Sequence, residues 1–136
     1  MKNVFVLLFA LMMVFSACEK SDDSESESEF TNKIELGTGV NQTNPFILTG
    51  IGTTFSANTT IYFRLESKDD MGGSTVKIQV NKSDGSSYAS WNYPAAQSYG
   101  HIMVSSFRIT DAGSYTVTGI LVTGNKTVAS INIVIN

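Results

Sequence analysis

Few of the 136 residues carry groups able to do chemistry. His101 is the single histidine and Cys18 the single cysteine. A Ser-His-Asp relay would have to use His101, yet no serine stands in the G-x-S-x-G context that exposes a nucleophile at a strand-to-helix turn. A zinc site draws on several imidazole or thiol ligands, and His101 and Cys18 are one of each, too few to hold the ion. Asp69-Asp70 and Asp84 are carboxylates of the kind that hold calcium. They fall in successive loops, however, and successive hairpins of a strand-built domain lie at opposite ends. Asp69-Asp70 therefore reads as a solvated loop and Asp84-Gly85 as a hairpin turn. No catalytic residue, metal ligand or cofactor site is expected.

The densest cluster of interacting side chains is SSYASWNYPAAQSYGH, from Ser86 to His101. Aromatic faces in a polar setting hold sugar rings and anchor protein partners. Trp91, Tyr93 and Tyr99 are the candidate ligand-binding residues. Strand alternation puts Ala89, Trp91 and Tyr93 on one face and Tyr88, Ser90 and Asn92 on the other. Trp91 has a competing role as core filler. Tyr93 ends its strand and Tyr99 lies in the loop beyond, so both are expected to be exposed.

The elements that must position these residues follow from a period of two. Ile61, Phe63 and Leu65 alternate with Thr60, Tyr62, Arg64 and Glu66, and Val76, Ile78 and Val80 with Lys77, Gln79 and Asn81; Ala129, Ile131, Ile133 and Ile135 alternate with Val128, Ser130, Asn132 and Val134. That is the pattern of half-buried strands. Turn-forming stretches (KDDMGGS, KSDGSS, TGNK) separate the runs. Strands are predicted over 33–36, 46–50, 59–66, 74–81, 87–93, 101–108, 114–121 and 127–135, with 37–44 as a loop. Short strands joined by turns imply an all-β, antiparallel sandwich or barrel. By hairpin counting, the loop holding Tyr99 shares one end of the domain with Asp69-Asp70 and Asn125. That end is the expected binding surface.

The segment HIMVSSFRITDAGSYTV chooses between these architectures. Its apolar Ile102, Val104 and Phe107, followed by Asp111, Gly113, Tyr115 and Val117, resemble the corner between strands E and F of immunoglobulin-like domains. The resemblance implies an immunoglobulin-like antiparallel sandwich of about seven or eight strands. It also implies a structural corner of Asp111, Gly113 and Tyr115, in which the tyrosine hydroxyl bonds back to the backbone. Val117 stands where the family has its second core cysteine, and the first falls near Phe63 or Leu65. Apolar packing is thus expected in place of the disulfide. Ile78 is nearest to the place of the strand C tryptophan.

The N-terminal part reads as an address. Val4–Phe15 is a twelve-residue apolar run after Lys2, too short for a bilayer span of about 20 residues but suited to a secretory signal. Ser16-Ala17-Cys18 resembles the lipobox of bacterial lipoproteins, although Phe15 replaces the usual leucine. The resemblance implies cleavage before Cys18 and lipidation of its thiol. Lys20, Ser21, Asp22, Asp23 and Glu25 resemble the surface-export signal of lipoproteins in the Bacteroidota, which implies an outer-membrane anchor facing the cell exterior. Three units are expected: a signal at 1–17, a lipidated acidic linker at 18–32, and the sandwich at 33–136.

Charge supports this division. From Cys18 to Glu29 six acids oppose one base, whereas from Phe30 onward seven bases oppose six acids. The near-neutral domain lacks the one-sided basic field of a nucleic-acid binder. Expected partners are the membrane, through Cys18, and an unknown protein or glycan. The first functional reading is a non-catalytic surface module for protein interaction or adhesion. The alternative is a small glycan-binding lipoprotein for polysaccharide capture, using the Tyr88–Tyr99 aromatics. A third is a periplasm-facing inhibitor of an enzyme such as lysozyme.

Overall fold

The computed structural model describes residues 29–136. The expected signal, Cys18 and the export residues Lys20, Ser21, Asp22, Asp23 and Glu25 lie outside the described residues. Ten strands make up the domain: β1 Lys33–Gly37, β2 Gly39–Val40, β3 Leu48–Thr49, β4 Thr54–Phe55, β5 Thr60–Glu66, β6 Val76–Lys82, β7 Ser87–Tyr93, β8 Ile102–Arg108, β9 Gly113–Leu121 and β10 Lys126–Ile135. One sheet has the order β1-β5-β8, the other β4-β10-β9-β6-β7, and β2-β3 form a small ribbon. Pairing is antiparallel throughout except between β4 and β10.

The two inner faces close on each other because period-two patterning gives each sheet one apolar face. Ile34, Leu36, Ile61, Phe63, Leu65, Met103 and Phe107 meet Val76, Ile78, Val80, Tyr115, Val117, Leu121, Ile133 and Ile135, all buried. Phe63 and Leu65, the candidates for the first cysteine position, and Val117, at the second, are plain core residues. The Tyr115 hydroxyl donates to the Asp111 carbonyl at 2.9 Å, and Gly113 takes the φ of +150° that lets the chain turn there. Burial raises the Tyr115 phenol above its ordinary value, so it stays a donor. Tyr115→Phe should cost about 1 kcal/mol, the net worth of one hydrogen bond, read as a shifted urea midpoint at unchanged slope.

Four expectations are corrected. The strand predicted at 46–50 is only Leu48–Thr49, paired with a strand inside the predicted 37–44 loop. Thr54–Phe55, over which no strand is predicted, forms β4 and joins β10 in parallel. In β8 the pairing Leu65↔Met103 and Ile61↔Phe107 turns Met103 and Phe107 inward and leaves Ile102 and Val104 half-buried on the outer face. A register shift between Thr127 and Ala129 brings Val128 into the core, because a bulge reverses the alternation on one side of it.

Candidate functional site

The predicted binding end is assembled as expected but is tied shut by its own side chains. Lys126, at the start of β10, forms an ion pair with Asp69 of the loop between β5 and β6. Asp70 accepts from the Gly72 amide at 2.7 Å. The Met71 amide donates to the Gly100 carbonyl at 2.7 Å, joining that loop to the one after β7. His101 Nδ1 lies 3.0 Å from the Ser67 carbonyl, and its ring stacks on Phe30 at 4.4 Å with an interplanar angle of 3°. The incoming chain is pinned here too, for the Thr31 amide and hydroxyl both donate to Glu66 Oε1, at 2.7 and 3.0 Å. The Lys68 amide donates to Asn32 Oδ1 at 2.9 Å.

The Thr31 amide, with help from Arg64, holds the Glu66 carboxyl below its ordinary value of 4.5. A depressed folded-state value means that this clamp adds stability above pH 4.5 and loses it as the pH falls through the lower folded value. Glu66→Gln should therefore lower stability at neutral pH, with the difference from wild type fading in acid. Chemical denaturation at pH 7 and pH 3 checks this.

The aromatic cluster is likewise absorbed into structure. Trp91 is half-buried and packs on Phe107 at 5.1 Å between ring centroids. Tyr93, expected to be exposed, is half-buried; its ring meets Phe63 edge-on at 5.4 Å and its hydroxyl donates to the Ser106 carbonyl at 2.7 Å. Burial raises its phenol above the ordinary value. Tyr99 sits in a short 3-10 turn, Gln97–Tyr99, and packs half-buried against the core. Tyr88, placed by alternation on the outer face, instead lies edge-on to Tyr115 at 5.0 Å, with its hydroxyl 2.9 Å from Thr110 Oγ1. The register shift at Val80/Asn81 accounts for that reversal. Tyr88, Trp91 and Tyr93 thus seal the seam between β7 and β8.

The open apolar surface lies elsewhere, on the outer face of the three-stranded sheet. Phe46, Ile47 and Ile51 are 50%, 49% and 59% exposed, and they rim a concavity of about 480 Å³ with Leu48 and Ile102. The loop that presents them is braced from within. Asn41 Oδ1 accepts from the Thr43 and Asn44 amides at 2.8 and 3.1 Å, and Asn44 Oδ1 from the Phe46 amide at 3.1 Å. Backbone bonds from Asn41 to the Ile47 carbonyl and from Thr38 to the Thr49 carbonyl, at 2.8 and 2.9 Å, close it further. Leu48 is its buried root. Gly37 permits the close crossing, since a Cβ there would meet the Thr49 carbonyl at 2.6 Å.

Glu35 and Arg64 complete the lining and belong to a run of ion pairs. Lys33 contacts Glu35 at 2.7 Å, and Arg64 contacts Glu66 at 2.8 Å and Glu35 at 3.7 Å. Two bases and two acids cancel, so the site offers an apolar rim over a neutralised floor. That arrangement suits an apolar side chain of a macromolecular partner, since clustered exposed hydrophobes mark interaction surfaces. The sequence held a signal for it. Phe46-Ile47-Leu48 are three consecutive apolar residues, and a half-buried strand cannot turn all three inward.

No family model and no curated protein matches the chain. Among solved structures, an immunoglobulin-like protein of Pseudomonas aeruginosa is similar, with a TM-score of 0.50 and 13% identity over 82% of this chain and 99% of that one. The domain is an immunoglobulin-like antiparallel β-sandwich, a class defined by its two sheets and its tyrosine corner. At this identity the likeness speaks to the fold alone, and function has to be argued from the surface.

Proposed function

We propose that this chain is a lipid-anchored lipoprotein of the outer-membrane surface whose sandwich binds a protein partner without catalysis. The observation that carries the binding role is the braced loop presenting Phe46, Ile47 and Ile51 to solvent. Burying such an apolar cluster against a partner returns about 25 cal/mol per Å², and a loop ordered in advance limits the entropy lost on binding. The anchor reading rests on Cys18 after Ser16-Ala17, and the surface address on the acids that follow it. The glycan alternative is not taken forward, because Trp91 and Tyr93 are engaged in packing.

A photo-crosslinking side chain tests the binding surface. Placed at Ile51 in intact cells, it should capture one protein, and the adduct should vanish when Phe46→Asp is added. The same probe at Thr118, on the outer face of the other sheet, should capture nothing comparable. Equal capture at both positions would remove the loop from the binding role. Palmitate labelling that persists in Cys18→Ser would remove the anchor.

A further inference from the structure

We propose that β7 is a self-pairing edge, through which two copies of the chain join antiparallel along Ala89–Tyr93. A sheet edge presents unpaired backbone groups, and proteins normally blunt it with charge, proline, shortness or a cover. The other edges are managed in these ways. The β8 edge is covered, because the Ser106 carbonyl takes the Tyr93 hydroxyl and the Thr110 amide just beyond donates to the Tyr88 hydroxyl at 3.2 Å. On the β1 edge the Leu36 carbonyl accepts from the Gly52 amide at 3.1 Å, and the strand carries Lys33 and Glu35. The β4 edge is two residues long. Strand β7 is seven residues long, pairs among the described residues only with β6, and reads SYASWNY without a charge. The bulge at Tyr88 and Pro94 bracket five regular residues of it.

Those five residues complement their own reverse. A two-fold axis perpendicular to the sheet preserves its faces, so opposed residues must share a face. Centring the axis on Trp91 sets the two Trp91 side chains opposite each other on the inner face. Ala89 then faces the second copy's Tyr93, small against large. On the outer face, exposed Ser90 faces the second copy's exposed Asn92, polar against polar. Aromatic and hydrogen-bonding cross-strand pairs stabilise a ladder, and no like charges oppose each other. The pairing continues the five-stranded sheet into one of twice the width and leaves the Phe46 loop, on the other sheet, free.

The register makes the test specific. Directly opposed residues have Cβ atoms within disulfide reach, whereas diagonal neighbours stand about 7–8 Å apart. Full-length chains carrying Ser90→Cys and Asn92→Cys are made together in one cell and oxidised with copper phenanthroline. The mixture should yield a disulfide-linked dimer roughly ten-fold above either variant alone and above the wild type, which reports any linkage through Cys18. Sedimentation of the full chain in detergent gives an answer without a thiol: dimer for the wild type, monomer for the Ser90→Lys, Asn92→Lys double variant, which sets like charges opposite. Equal crosslinking by the single variants would overturn the pairing. So would a wild-type monomer at high micromolar concentration, whether or not β7 then accepts an extended peptide of another protein.

Discussion

Phe63→Ala is expected to destabilise the domain by about 3–5 kcal/mol. Phe63 is fully buried at the centre of β5, its ring 5.4 Å from that of Tyr93 and 6.2 Å from that of Phe107. Truncation removes the transfer energy of a benzyl group and leaves a cavity that rigid strand pairing keeps from collapsing. Leu65 and Val117 lie in the same cluster, and no disulfide ties the sheets together to limit the loss. Domains of this size are stable by about 5–15 kcal/mol in all, so the variant should be partly unfolded at 37 °C. Urea titration followed by near-UV circular dichroism would show it; a loss below about 1 kcal/mol would mean that the centre of the core lies elsewhere.

Trp91→Ala carries the second-largest effect, about 2–3 kcal/mol, less than full core truncation because the indole is half-buried. The loss comes from its contact with Phe107 and from opening the β7–β8 seam beside Tyr93. On a sugar-binding account the same substitution would abolish ligand retention and leave melting nearly unchanged, since exposed platform residues contribute little to folding. The substitution therefore separates two roles for one residue.

The contrast between Trp91 and the Phe46 loop shows what a sequence can convey here. Strands β5, β6 and β9 were legible to within two residues because apolar and polar positions alternate cleanly and turn-forming stretches such as KDDMGGS and KSDGSS separate them. The corner was legible because Asp111, Gly113 and Tyr115 have chemically specific duties. Faces were lost wherever alternation was interrupted. Tyr88 and Val128 both stand at register shifts, which add a residue to one strand without marking its composition. Ile102-Met103-Val104 is apolar throughout, so only its pairing with β5 decides which residue turns inward. Side-chain closure of the predicted binding end, by Asp69 with Lys126 and by Phe30 with His101, depends on contacts between segments distant in sequence. Such contacts leave no local pattern.

The division between sealing aromatics and a free apolar loop is tested most directly by one calorimetric series. It compares wild type, Trp91→Ala and the Phe46→Asp, Ile51→Asp double variant. Trp91→Ala should melt about 10–15 °C lower, as its stability loss implies for a domain of this size. The double variant should melt within about 3 °C of wild type, since exposed positions outside the core tolerate change. The reverse order, with the loop variant collapsing and Trp91→Ala unaffected, would contradict the account by making the loop part of the core and Trp91 the free surface.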